Sequence, residues 1–414
     1  MQSFSENPYY RLVRTNANFR RVWFSQIVSN LGDWFGVLAV YALIIEFSAS
    51  ELLLGLIIVI KMMSFAVFSP FAGYIADRFD RRMLMIVCDF GRGFAVLSFL
   101  FVREPEMLWL IYVMTAVQMM FAAVFEPAKQ SSIPNITSPE ELVRANILSN
   151  MSWSIIFTSG MGLGGLATAA FGTDAVFVMN GVGYILSTIF IFRATIPHVR
   201  DAETLETLKN PVKGIMDGYR YLWRTGPVYR PAMAKGAMTV FMGGLVYMLI
   251  LISDQVLLMG SAGLGLLYAA RGAGTAVGPV LHRKFMLNDR RWVAGMGAMM
   301  MTAGFFYFGV GLTTSLWMMM GLVFLSHVAS GANWVSSTVL LQQRTPDTYR
   351  GRVFSSEFLL FTVSQSLSTL AVSLLLEFGI ITLQTAILTF STGLMLTGTL
   401  WLFTVAKREK AEMG

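Results

Sequence analysis

Long apolar runs dominate this chain and recur along it. They lie at roughly 21–46, 51–76, 84–102, 107–128, 141–171 and 174–194. After a polar stretch they resume at roughly 231–256, 262–284, 292–312, 315–343, 351–377 and 380–405. An α-helix needs roughly 20 apolar residues to cross the hydrocarbon of a bilayer, and these runs reach or pass that length. Backbone groups in lipid must be satisfied internally, which leaves helices or closed barrels. Barrel strands alternate in polarity over about ten residues, whereas these runs are continuously apolar. The expectation is an all-α membrane protein of about twelve transmembrane helices.

Charge supports this reading. Only 13% of the 414 residues are charged and 55% are hydrophobic, against about a quarter charged in soluble domains. The net charge of +7 does not indicate nucleic acid, because the basic residues sit in short connections between apolar runs. They fall on alternate connections: Arg11, Arg14, Arg20 and Arg21, then Arg78, Arg81 and Arg82, then Lys129 and Arg144, and so on to Lys407, Arg408 and Lys410. The intervening loops hold Arg103 with Glu104, Glu106, Asp174 and Glu377. Positive residues mark the cytoplasmic side, so both termini are expected in the cytoplasm. The N-terminal segment lacks the basic-then-apolar order of a cleavable signal, and the first span is expected to remain in the mature protein.

Cys88 is the only cysteine and lies in an apolar run, so it is read as packed there. His198, His282 and His327 show no metal-ligand spacing, and no cofactor or metal is expected. No nucleophile–base set lies at the membrane face, so the chain is not read as an enzyme.

The chain divides into a six-helix bundle over 1–195, a cytoplasmic linker over 196–230, a second six-helix bundle over 231–406 and a tail over 407–414. Within the linker, Val212, Ile215, Met216, Tyr219, Leu222 and Trp223 share one helical face. This predicts an amphipathic helix on the inner membrane surface. The halves look like repeats. Residues 77–82 correspond to 283–291, and Pro139–Arg144 to Pro346–Arg350, an offset of about 207 residues. Parallel repeats of this kind place a substrate path between the halves, near mid-membrane.

The segment Gly73-Tyr-Ile-Ala-Asp77-Arg78-Phe-Asp80-Arg81-Arg82 is similar to motif A of the major facilitator superfamily, with Asp80 where the family often has glycine. The copy at Gly278–Lys284 is degenerate. Asn30–Trp34, Phe125–Pro134, Arg144-Ala-Asn146 and Thr345–Val353 resemble the bacterial branch that holds macrolide-efflux and enterobactin-exporter proteins. Lysophospholipid transporters are more distant relatives. The resemblance covers nearly the whole chain. It implies the major facilitator fold, two pseudo-symmetric six-helix halves, in a bacterial cytoplasmic (inner) membrane. It further implies export of small amphipathic molecules, drugs or siderophores among them, by a monomer exchanging them for protons. Two antiporter signatures depart from the pattern. Gly160-Met-Gly-Leu-Gly-Gly165 has Met161 where motif C has proline, and span four lacks the arginine of motif B. Those glycines, like Gly272–Gly278, read as surfaces for close helix packing.

Charged residues inside spans point to function, because each costs at least about 2.5–3.5 kcal/mol to insert. Asp33 is mid-span, and Gln26, Asn30 and Asp33 follow i, i+4, i+7 spacing, one polar stripe facing a cavity. Asp33 is the candidate for proton or cation coupling, with Arg271 as counter-charge. Lys61 and Arg271 sit at near-equivalent positions of the repeat and join the candidate cavity with His327, which serves as proton relay or as a hydrogen-bonded packing residue. Asp89 and Arg92, at i, i+3, are expected to pair with each other or with the motif A loop. The candidate gate comprises Gly73, Asp77, Arg78, Arg81, Arg82, Asp89, Arg92, Glu126 and Glu357, with Lys235 near the cytoplasmic face and Asp254 near the outer end.

The reading is a secondary active transporter working by alternating access, with protons and membrane lipids as its other partners. The alternatives are a lipid or lysophospholipid flippase of the same fold and, from another class, a non-transporting membrane sensor or assembly factor.

Overall fold

The computed structural model describes residues 8–48, 50–197, 211–286 and 292–413. Residues 198–210 of the expected linker and 287–291 of the second basic loop lie outside the described residues, as do the side chains of Gly73, Asp77 and Arg78. The described chain is helical, with no strand among those residues.

The helices are α1 (Pro8–Thr15), α2 (Ala17–Phe47), α3 (Glu51–Arg78), α4 (Arg81–Leu97), α5 (Leu108–Ile136), α6 (Pro139–Arg193) and α7 (Pro211–Arg224). They continue as α8 (Gly226–Leu251), α9 (Gly260–Met286), α10 (Trp292–Val310), α11 (Leu316–Arg344), α12 (Asp347–Glu377), α13 (Leu383–Trp401) and α14 (Lys407–Met413). Among the described residues ten helices are long and apolar enough to cross a membrane. The longest, α6, is interrupted at Gly172, whose φ of 80° and ψ of 169° are non-helical. Its two arms match the expected spans five and six. With α9, which is less apolar, the arrangement accommodates twelve spans.

The chain forms two compact units. One comprises Met1–Phe47 and Ile60–Pro211, the other Ser48–Val59 and Val212–Gly414. The first turns of α3 therefore pack with the second unit. There the carboxylate of Glu377 accepts hydrogen bonds from Ser50 Oγ (2.8 Å) and from the Leu52 N–H (3.0 Å). The hydroxyl of Tyr247 donates to the Glu51 carbonyl at 2.5 Å.

Local signals set several helix ends. Asp80 is the N-cap of α4, its carboxylate accepting from the Met83 N–H at 2.8 Å. An N-cap carboxylate satisfies an otherwise orphaned donor, which explains an acid where related loops carry glycine. Ser138 and Glu141 form a capping box, with Pro139 in the first turn, and start α6. The second bundle begins earlier than the 231 expected, because Pro227 is accommodated in the first turn of α8.

Glycines set helix spacing. A Cβ on Gly164 would lie 2.8 Å from Phe35 Cα, and one on Gly160 would lie 3.1 Å from Trp34 Cβ. The Gly160–Gly165 run is thus a seam between α6 and α2. On the other arm of α6, a Cβ on Gly183 would lie 2.9 Å from the Val28 carbonyl, again on α2. At the base of the first unit Leu12, Phe19, Val22, Met85, Phe125, Ile133 and Ile191 form a core. Cys88 is buried in it, as expected.

The linker helix α7 forms as expected, but its apolar face divides. Leu222 is buried against Val228, Ala232, Leu341 and Val353 of the second unit. Met216, Tyr219 and Trp223 stay exposed.

Candidate functional site

In the first unit, four helices converge on Asp33 of α2. Arg92 of α4 donates from Nη2 to Asp33 Oδ2 at 2.6 Å and from Nη1 to Asp89 Oδ1 at 3.2 Å. Gln118 of α5 donates from Nε2 to Asp33 Oδ1 at 3.2 Å. The Tyr184 hydroxyl of α6 donates to the same oxygen and accepts from Gln118 at 3.0 Å. Ser187, one turn on, donates to Asp89. The guanidinium of Arg92 lies 4.5 Å from the Tyr184 ring centre and 5.3 Å from that of Phe125. Lys61 of α3 stands within electrostatic reach of Asp33.

Exposure separates the two carboxylates. The Asp89 side chain is 0% exposed and that of Arg92 7%, whereas Asp33 keeps 22%. One guanidinium thus bridges a sealed acid and a reachable one. Two carboxylates face two cations, Arg92 and Lys61, so the deprotonated cluster is balanced.

Within its own bundle the counter-charge to Asp33 is Arg92, a partner that the sequence reading did not assign to it. Asp89 and Arg92 do pair with each other, as expected, but they belong to the Asp33 network as much as to a gate. Of the Gln26–Asn30–Asp33 stripe, Gln26 and Asp33 bond to groups on other helices. Gln26 is buried, its Nε2 3.4 Å from the Ser149 carbonyl of α6. Sequence reasoning missed Tyr184, Gln118 and Ser187. Asn180, Tyr184 and Ser187 repeat the i, i+4, i+7 spacing of the α2 stripe, and that pattern was the available signal.

Two of the expected gate residues, Arg81 and Arg82, bind carbonyls near helix C-termini, as does Arg21, which was not among them. Arg81 donates to the Ser131 carbonyl of α5 at 2.9 Å. Arg82 donates to the Phe192 carbonyl and lies over that ring at 5.1 Å. Arg21 donates to the Arg193 carbonyl at 2.6 Å. Cations at a helix C-terminus complement its carbonyls and dipole. Glu126 pairs with Lys129 at 2.8 Å.

The second unit holds its own buried charges. Lys235 of α8 pairs with Glu357 of α12, lies 3.1 Å from Thr338 Oγ1 and stands 4.0 Å from the Trp334 ring centre. Arg271 of α9 lies over the Tyr268 ring at 5.2 Å. His327 of α11 is buried, with Nδ1 3.0 Å from the Val323 carbonyl and its ring 5.7 Å from that of Tyr307. Near the C-terminus, Arg230 binds Glu409 and Glu412 while Arg344 holds Glu409 at 2.8 Å. The tail helix α14 is therefore docked on α8 and α11.

A polytopic helical chain in two compact units, each keeping paired charges inside its spans, defines a membrane transporter. The Major Facilitator Superfamily model matches residues 22–369, and the chain belongs to that family. It is 28% identical over 365 residues to the MFS-type transporter YfiS of Bacillus subtilis (strain 168), covering 83% of both chains. It is 21% identical over 359 residues to macrolide efflux protein A of Streptococcus pyogenes, covering 81% of this chain and 84% of that one. A crystal structure of a bacterial homologue of the human lysosomal transporter Spinster superposes with a TM-score of 0.72 at 15% identity, covering 98% of this chain and 97% of that one. These similarities fit a bacterial transporter of the efflux type.

Proposed function

We propose that this transporter exports an amphipathic small molecule from the cytoplasm in exchange for protons, by alternating access, with Asp33 as the proton-carrying group. One observation carries the reading: Arg92 is shared between the sealed Asp89 and the partly exposed Asp33. Protonation of Asp33 replaces its ion pair with Arg92 by a weaker bond from the guanidinium to a neutral carboxyl and loosens the tie between α2 and α4. Deprotonation restores it. The bundle then has two arrangements whose balance a proton shifts, as a coupled carrier requires. Arg92 reaches Asp33 beside Gln118 of span four, so span three supplies the buried arginine that span four lacks. Efflux by the macrolide relative supports the outward direction.

Reconstitution tests this. Proteoliposomes with an imposed pH gradient are loaded with dansyl probes of differing charge, with protein-free liposomes as the blank. Protein-dependent movement of at least one probe is expected, and it reverses when the gradient is inverted. Asp33→Asn should abolish the gradient-driven component. Full gradient-driven transport by Asp33→Asn removes Asp33 from the coupling role.

A further inference from the structure

Four aromatic and basic side chains of the second unit form a cluster that the proton-coupling network does not use. Arg271 and Tyr268 lie on α9, Tyr307 on α10 and His327 on α11. The helices come together through glycine: a Cβ on Gly274 would lie 3.0 Å from His327 Cβ, and one on Gly331 would lie 2.5 Å from the Thr275 carbonyl. Tyr268, Tyr307 and His327 are 3%, 1% and 3% exposed, while Arg271 is only part-buried. The Arg271 charge acts on all three neighbours.

Tyr307 Oη and His327 Nε2 are buried here with no hydrogen-bond partner among the described residues. Leaving such a group unsatisfied is costly, so each is suited to a ligand that enters. The protonation of His327 follows from its other nitrogen. Nδ1 faces a carbonyl, which can only accept, so Nδ1 carries the hydrogen. In neutral imidazole Nε2 is then an acceptor. The Tyr307 ring, whose hydroxyl can donate, packs edge-on against the imidazole, and the Arg271 guanidinium, which only donates, acts on it electrostatically.

From this arrangement we infer that the cluster is the recognition site for a carboxylate with an N–H or O–H donor on the neighbouring atom. Arg271 and Tyr307 hold the carboxylate oxygens, and His327 Nε2 accepts from the adjacent donor. The exported molecule is then an amphipathic acid of the N-acyl or N-sulfonyl amino-acid type. This inference rests on the transport reading above and specifies its substrate.

The test uses four dansyl probes with purified protein in nanodiscs, read by dansyl fluorescence. Dansylglycine has both the carboxylate and the N–H. Dansylsarcosine keeps the carboxylate and replaces the N–H by N–CH3. Dansylglycine methyl ester lacks the charge, and dansylcadaverine is a cation. Dansylglycine should bind about tenfold more tightly than each of the others, one such step per lost interaction. Arg271→Gln should remove the preference over the ester, and His327→Ala the preference over dansylsarcosine. Tyr307→Phe, which keeps the ring in place, should weaken dansylglycine binding by several-fold. Arg271→Lys guards against misfolding: it should retain part of the preference for the acid, and the melting temperatures should match. Equal binding of the probes, binding of none, or a preference indifferent to Arg271→Gln overturns the inference. Gradient-driven movement of dansylcadaverine in the proteoliposome assay would overturn it while leaving the transport reading intact.

Discussion

At the scale of single residues, Arg92 is the most constrained group in the first unit. Its guanidinium is shared between Asp33 and Asp89, and it is buried with Asp89. Removing one partner of a buried ion pair leaves an uncompensated charge, at a cost of about 3–5 kcal/mol. Arg92→Gln should therefore lower stability by about that amount in a denaturant titration. Adding Asp89→Asn to it should recover part of the loss, because the orphaned carboxylate is then neutral. Tyr184→Phe removes one donor from Asp33 and leaves the ring under Arg92. It should cost about 1 kcal/mol and shift the pH profile of transport, the second readout separating a positioning role from packing. Asp33 was legible from the sequence as a mid-span acid. Arg92 as its partner was not, because the two are far apart in sequence and meet only because α2 and α4 both pack on α6.

Among the elements, α6 shows how one residue changes a helix. Nothing lies within 4 Å of where a Cβ on Gly172 would sit, yet its φ of 80° belongs to a region that L side chains rarely adopt. Gly172→Ala should therefore cost about 1–3 kcal/mol through backbone strain, with no steric clash. Gly164→Val offers the opposite case. Its backbone is ordinary helix, but the new side chain would press on Phe35 Cα. It should destabilise by about 1–3 kcal/mol through overpacking. Thermal melts of the two variants in nanodiscs check both. The glycine run at 160–165 was legible as a packing surface from its small residues. Its partner, the Trp34–Phe35 step of α2, was not, since small residues advertise close approach without naming the neighbour.

For the whole molecule, the alternation of basic loops predicts an orientation that impermeant thiol reagents can read. Cys88 is buried and should stay silent in the native protein. Thr314→Cys, in the exposed connection after α10, should be labelled in intact cells. Lys410→Cys, on the tail helix, should be labelled only after lysis. Labelling of both from outside would overturn the orientation. The docked tail also predicts that Glu409→Gln weakens the hold of α14 on Arg230 and Arg344, read as faster proteolysis after Lys407 and Arg408.

The sequence by itself determined the solvent, the helical class, the repeat and the family, because each is written in features that need no neighbour: apolar run length, charge alternation, a fixed offset and the Gly73–Arg82 loop. Tertiary structure alone decided which charges meet. Ion-pair choice inside a membrane protein is set by which helix faces touch, and those faces are positioned by glycine seams and by the break at Gly172. So Asp33 meets Arg92 of α4, and in the other unit Arg271 lies over Tyr268 and acts on Tyr307 and His327.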